Sequence, residues 1–218
     1  MWYSVIGDAM KNIPVFTTEN GIASIILEEI SFNQSAYIRI QTYSDAKALL
    51  KDCVDFCKAA GAEKVYVTGI TMGGASSNVI RMSRTREGLG DSALVLRSVD
   101  LSTLELFRSI YNNAMRNIQN ASGMTRQKAK DVLDNGSGYF VYLQDEQVGI
   151  GIAEGEWVHA VVSLKRGMGE SIMLALNRVL TGNRVCVEVI DTNLPAMCLY
   201  SRMGFSVDEQ ISKWYKIF

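Results

Sequence analysis

Apolar residues recur every three or four positions over residues 44–60, where Ala46, Leu49, Leu50, Cys53, Cys57 and Ala60 fall on one stripe. That period predicts an amphipathic helix, with Gly61 as its stop. The runs on either side, Ala36-Tyr37-Ile38-Arg39-Ile40 and Lys64-Val65-Tyr66-Val67-Thr68, have the β-branched and aromatic content of strands. A second strand–helix–strand unit has the same plan: strand His159-Ala160-Val161-Val162, a helix over 168–181 closed by Gly182, and a strand over 184–189. A predicted β-hairpin precedes each unit, at 21–30 and at 139–154. The likeness is one of plan rather than of letters.

The later part of the chain opens with a strand over 93–97 and a helix carrying Leu104, Phe107, Tyr111, Met115 and Ile118 at helical spacing. Ser102 and Glu105 are placed to form its capping box. A shorter helix over 125–133 ends near Asn135-Gly136, and strands follow at 139–143 and 148–153. A last helix over 195–203 and a closing strand or two in 211–218 complete the order β-α-α-β-β-β-α-β-α-β. This is an α+β arrangement on a mixed sheet. Residues 69–92 are rich in Gly and Ser and broken by Arg81, Arg84 and Arg86, the composition of a linker or long surface loop. Gly73-Gly74 has no helical pattern behind it, so no phosphate loop is expected there. The expected domains are therefore 1–90 and 91–218.

Charge and composition narrow the class. Lys+Arg is 22 against Asp+Glu 23, which gives no electrostatic footprint for nucleic acid or an anionic membrane. No apolar run approaches the ~18 residues of a membrane span. Met1-Trp2-Tyr3-Ser4-Val5 lacks the basic start of a secretory leader, and the cytoplasm is the expected compartment. Four cysteines in a chain of 218 residues are not a disulfide framework. Cys53 and Cys57 are expected as reduced core thiols on the buried helix face, and a single histidine, His159, leaves no metal site in view.

Two constellations carry chemistry. In Val161-Val162-Ser163-Leu164-Lys165-Arg166-Gly167-Met168-Gly169-Glu170-Ser171 a strand runs into a glycine-bearing turn that opens a helix. The first helical amides lack partners within the helix and carry partial positive charge, so the turn is suited to a pyrophosphate. In Asn193-Leu194-Pro195-Ala196-Met197-Cys198-Leu199-Tyr200-Ser201-Arg202-Met203-Gly204-Phe205, Pro195 suits a first helical turn and Gly204 the left-handed residue after the last. Tyr200 falls on the inward face.

Together the two blocks resemble the GNAT acetyltransferase superfamily. The second matches the family's Asn-x-x-Ala-x-x-Leu-Tyr-x-x-x-Gly-Phe signature at each named position. The first resembles its coenzyme A loop, Gln/Arg-x-x-Gly-x-Gly/Ala, in either of two registers. One starts at Leu164 with Gly167 and Gly169; the other starts at Arg166 with Gly169 and Ser171. The resemblance covers 93–218, and residues 1–90 look like a degenerate half copy without the loop or the tyrosine.

What the resemblance implies is a GNAT-like acyl-CoA N-acyltransferase fold and direct acyl transfer from acetyl-CoA to an amine. Val161 and Val162 would bind the pantetheine arm through the backbone. Arg166, Gly167, Met168, Gly169, Glu170 and Ser171 would face the pyrophosphate, and Asn193 the pantetheine. Tyr200 would protonate the departing sulfur. Glu188, in Val187-Glu188-Val189, resembles the base of ribosomal-protein N-terminal acetyltransferases, with Glu156 and His159 as competitors. By strict alternation His159 shares a face with Trp157 and Val161, whereas a bulge would exchange the faces. The acceptor is an amine-bearing small molecule or a peptide N-terminus, and Glu154, Glu156 and Glu188 would suit a cationic one. A homodimer is left open, as are two rival readings: a coenzyme A-binding sensor without catalysis, and a structural protein on the same scaffold.

Overall fold

The computed structural model describes residues 14–74 and 76–218. Residues 1–5, on which the leader expectation rests, lie outside the described residues. The chain divides into two compact units, whose boundaries fall between Val79 and Ile80 and between Glu209 and Gln210. The sequence reading placed one division at residue 90 and kept the C-terminus with the second domain.

One unit holds the hairpin β1 (Val15–Thr18) and β2 (Gly21–Ile26), α1 (Ile30–Asn33), β3 (Ser35–Tyr43), α2 (Ala46–Ala59) and β4 (Lys64–Thr68). β3 and β4 run parallel, as a crossover through a helix requires. The α2 stripe packs on the sheet: Leu49, Cys53 and Cys57 join Ile25, Ile38, Val65 and Val67 in one core. Cys53 and Cys57 are free, buried thiols, and burial pushes the first up to about 11 and the second up to about 12, so both stay protonated as packing groups. Asp45 caps α2, its carboxylate accepting from the amides of Lys47 and Ala48 at 3.0 Å each.

The expected loop over 69–92 contains a ten-residue strand instead, β5 (Ser76–Thr85). Its inward residues include Ser77 and Ser83, small polar groups that hide the alternation, and its arginines look like loop solvation until their partners are known. β5 crosses from one unit into the other at Val79, and Arg81, Arg84 and Arg86 lie in the second.

The second unit adds β6 (Val95–Ser98), α3 (Leu104–Met115), α4 (Arg126–Asp134), β7 (Gly138–Leu143), β8 (Glu146–Glu154), β9 (Trp157–Ser163), α5 (Gly169–Asn177), β10 (Arg184–Ile190) and α6 (Leu194–Arg202). The start of β11 (Ser206–Lys216) also belongs to it. Its strands lie in the order β5-β10-β9-β8-β7-β6, with β9 and β10 parallel and β6 to β9 antiparallel neighbours. The element order is the α+β one that the periodicities predict. Cores form on both faces: α5 and α6 cover Val158, Val185, Val187 and Val189, while α3 and α4 cover Phe140, Ile150, Ala160 and Val162.

Several details depart from the sequence reading. Ser102 does not cap α3; its hydroxyl donates to Asp100, which also accepts from the hydroxyl and amide of Thr103. Helix α5 is shorter than 168–181 because Arg86 ties off its end, donating to the carbonyls of Asn177 (2.8 Å), Leu180 (2.8 Å) and Gly182 (3.0 Å). Arg84 likewise donates to the Met203 carbonyl at the end of α6. These arginines satisfy carbonyls that a helix C-terminus leaves without partners.

Candidate active site

The site is built on the junction from β9 into α5. Two glycines of β8 set the helix in place. A β-carbon on Gly149 would lie 2.6 Å from the Ile172 Cδ1, and one on Gly151 would lie 2.4 Å from the Leu176 Cδ1. Only a bare strand allows α5 this close to the sheet.

Strands β9 and β10 meet at one ladder position, Cys186 opposite Trp157, where the Cys186 amide donates to the Glu156 carbonyl at 2.8 Å. Beyond it β9 keeps β8 on one side and has no ladder partner in β10 on the other. A bulge lies just past the meeting point: Ala153 opposes Val158 and Ile152 opposes Ala160, so His159 is the extra residue. Bulges bend and twist a strand, which accounts for the parting. The bulge also exchanges faces. Val158 and Val161 pack towards α5, whereas Ala160 and Val162 pack towards α3 and α4. His159 therefore keeps Trp157 as its neighbour, stacked at 6.4 Å, and loses Val161.

Main-chain direction follows from the ladder. The Leu164 amide donates to the Val148 carbonyl at 2.9 Å, so Leu164 and, two residues back, Val162 face β8. Val161 then turns its amide and carbonyl into the gap. Of the two valines named from sequence, it is the one with main chain to offer there.

At the end of β9 the turn closes on itself. The Lys165 carbonyl accepts from the Ser163 hydroxyl and from the Met168 amide, and the Lys165 ammonium is tied to Glu146. Gly167 is exposed at φ +86°, a conformation that a side chain resists, with nothing within 4 Å of where a β-carbon would sit. Gly169 begins the helix with its β-carbon position 3.2 Å from the Leu199 Cδ2. Both glycines of the Leu164 register thus have a physical reason to be glycine.

Met168 stands at the N-cap and makes no side-chain cap bond. The first helical amide to reach a carbonyl is that of Ile172, on Met168 at 2.9 Å. The amides of Gly169, Glu170 and Ser171 are left pointing out of the helix end, as an anion site requires. The equivalent junction in the other unit is closed, because Asp45 already puts a carboxylate on the start of α2.

Asn193 caps α6, accepting from the Ala196 amide at 3.4 Å. Tyr200 lies on the inner face of that helix, 8% exposed, with its ring 5.5 Å from Phe205. Burial pushes its phenol up to about 12. Its hydroxyl makes no hydrogen bond among the described residues, so it is not the backbone-bonded core tyrosine that its position would otherwise imply. Cys198 is the exposed thiol of the same helix.

The three carboxylate and imidazole candidates are in different surroundings. The Glu188 side chain is 9% exposed and paired with Arg81, guanidinium to carboxylate at 3.0 Å. Arg81 also meets Glu209 and lies 5.1 Å over the Trp157 ring. His159 is held neutral by burial, its pKa lowered to about 3. Glu156 packs over the turn at Gly182, beyond the C-terminal end of α5. Among the described residues there is no cluster of three or more His, Cys, Asp or Glu suited to a metal, and no helix long and apolar enough to cross a membrane.

No family model matches the chain, and no curated protein matches it. Solved structures do. A functionally unknown conserved protein from Staphylococcus epidermidis matches over 94% of this chain and 93% of its own, with a TM-score of 0.58 at 10% identity. A GCN5-related N-acetyltransferase from Sphaerobacter thermophilus matches over 90% of this chain and 76% of its own (TM-score 0.54, 11% identity). One from Anabaena variabilis matches over 96% and 63% (TM-score 0.56, 14% identity).

The fold is the GNAT fold. At these identities the likeness is one of fold, and it runs through both units rather than the second alone. On this GNAT scaffold Val161, Met168, Leu199 and Tyr200 pack in one core, and Gly169 at the start of α5 stands against Leu199 of α6. Glu188 lies on the sheet face away from α5. Sequence reasoning passed over Arg81 and Trp157 as partners of Glu188, since they come from strands 76 residues apart in the chain.

Proposed function

We propose that the chain is an acetyl-CoA-dependent N-acetyltransferase that passes an acyl group to a primary amine by direct attack, both substrates being bound together. The observation that carries this is the contrast between the two strand–helix junctions. One is plugged by its own Asp45 carboxylate; the other leaves the Gly169, Glu170 and Ser171 amides free beside a glycine with open space around it.

Acetyl-CoA supplies an activated acyl thioester, and the residues present fit its parts. The amides at the start of α5 match a pyrophosphate in charge and in hydrogen-bonding sense, with exposed Arg166 adding a cation. The open edge of β9 at Val161 offers an amide and a carbonyl to a pantetheine arm. Asn193 uses its carbonyl oxygen on the cap and keeps its amide protons for that arm.

The chemistry needs two proton movements. An ammonium of pKa near ~10 must lose a proton before its nitrogen attacks, and the sulfur must gain one as the C–S bond breaks. Tyr200 holds the second proton at Oη: a phenol near 12 stays protonated at neutral pH and has no competing acceptor among the described residues. Glu188 is the carboxylate for the first, facing the side of the sheet covered by α3 and α4.

The test is calorimetric titration with acetyl-CoA, followed by thiol release with a panel of amines. Binding with amine-dependent thiol release supports the enzyme. Binding without release over the whole panel would leave a coenzyme A sensor, and no binding would leave neither.

A further inference from the structure

We propose that the acceptor is a cationic alkylamine whose ammonium takes the place of the Arg81 guanidinium, between the Glu188 carboxylate and the Trp157 ring. The inference rests on the acetyltransferase reading and names its second substrate. Trp157 and Cys186 are the one ladder pair between β9 and β10, and Glu188 lies two positions further along β10, beside the opening. The Glu188 side chain is 9% exposed, and one aromatic face and one carboxylate enclose the same small volume. A cation already fills it. Arg81 reaches across from β5 with its guanidinium 3.0 Å from Glu188 and 5.1 Å over the indole.

Two features make Arg81 an exchangeable occupant rather than a fixed strut. Its Nε is buried without a hydrogen-bond acceptor, so the guanidinium is only partly satisfied where it sits. Its other partner, Glu209, is 54% exposed and gives the side chain somewhere to go, while the Arg81 side chain itself is 32% exposed. A primary ammonium is smaller than a guanidinium and makes the same cation–π and charge-assisted contacts. An acceptor with a carboxylate next to its amine, as in a free amino acid, would bring that group against Glu188 and Glu209 and be repelled.

The experiment compares the wild-type full chain with Arg81→Ala, Arg81→Gln and Glu188→Gln in the presence of coenzyme A. Binding of n-butylammonium and of free alanine is followed by calorimetry, and turnover of the same amines with acetyl-CoA by thiol release. Melting curves select whichever Arg81 variant folds. Losing the resident cation is expected to tighten butylammonium binding and lower its KM about fivefold, with kcat within about twofold. Glu188→Gln is expected to abolish saturable binding, and alanine to bind to none of the four proteins. The proposal is overturned if the Arg81 variant lowers kcat and leaves KM and affinity alone, which would make Arg81 a positioning residue for Glu188. It is equally overturned if alanine is the better ligand or if butylammonium binds neither protein. Tightened binding without turnover by any variant would sink the acetyltransferase reading while leaving this cation site standing.

Discussion

Leu199 of α6 stands against Gly169 at the start of α5, with room for 3.2 Å between its Cδ2 and a β-carbon added to the glycine. This contact joins the proposed pyrophosphate cradle to the helix that carries Tyr200 one residue later. Gly169→Ala must push the half-buried Leu199 by a few tenths of an ångström. Its stability cost is expected within about 1 kcal/mol, while the acetyl-CoA Kd rises about tenfold because the bare amide face is narrowed. Gly167→Ala meets no neighbour but is forced into φ +86°, so here the cost of about 1 kcal/mol or more is backbone strain. Calorimetric melting and acetyl-CoA titration of the two variants separate crowding from strain.

Tyr200→Phe removes a hydroxyl that makes no hydrogen bond among the described residues and keeps the ring against Phe205. The melting temperature is expected to hold and the acetyl-CoA Kd to stay within about twofold, with kcat lower by about 10²-fold. A large loss of stability would mean that the hydroxyl has a structural partner after all. Since the phenol titrates near 12, no alkaline fall in kcat below about pH 10 is expected from this group.

The sign of the His159 effect on stability follows from its depressed pKa. Burial lowers it from 6.5 to about 3, so the folded state resists a proton that the unfolded chain accepts. The contribution is fully present above pH 6.5 and is lost as pH falls through that value towards 3. Melting temperatures between pH 7 and pH 4 should therefore fall for the wild type, and His159→Gln should flatten that slope.

Arg86 satisfies three carbonyls and the Asn177 side-chain oxygen at the end of α5. Arg86→Ala is expected to cost about 2–3 kcal/mol in denaturant unfolding. Arg86→Lys should recover little of it, since an ammonium cannot span those acceptors.

Most of the second unit is legible in sequence, because its helices and strands carry clean periods and its last helix a dense signature. What escaped has physical reasons. β5 mixes Ser77, Asn78 and Ser83 with Arg81 and Arg84, whose acceptors at Glu188 and Met203 lie more than 100 residues away, so nothing local distinguishes it from a loop. The capping box failed because Asp100 competes for the same hydroxyls and amide. The bulge at His159 depends on the β8 register, which no single strand reveals, and with it went the face of Val161. The pair Gly149 and Gly151 was the available signal for the seat of α5: two glycines alternating in an apolar strand mark a close approach by a neighbour.

The most direct test of the account is a crystal structure of the chain with coenzyme A. The account predicts the pyrophosphate within hydrogen-bonding distance of the Gly169, Glu170 and Ser171 amides, the pantetheine along Val161, and the sulfur beside the Tyr200 hydroxyl. Coenzyme A bound elsewhere, or a junction left empty at saturating ligand, would contradict it.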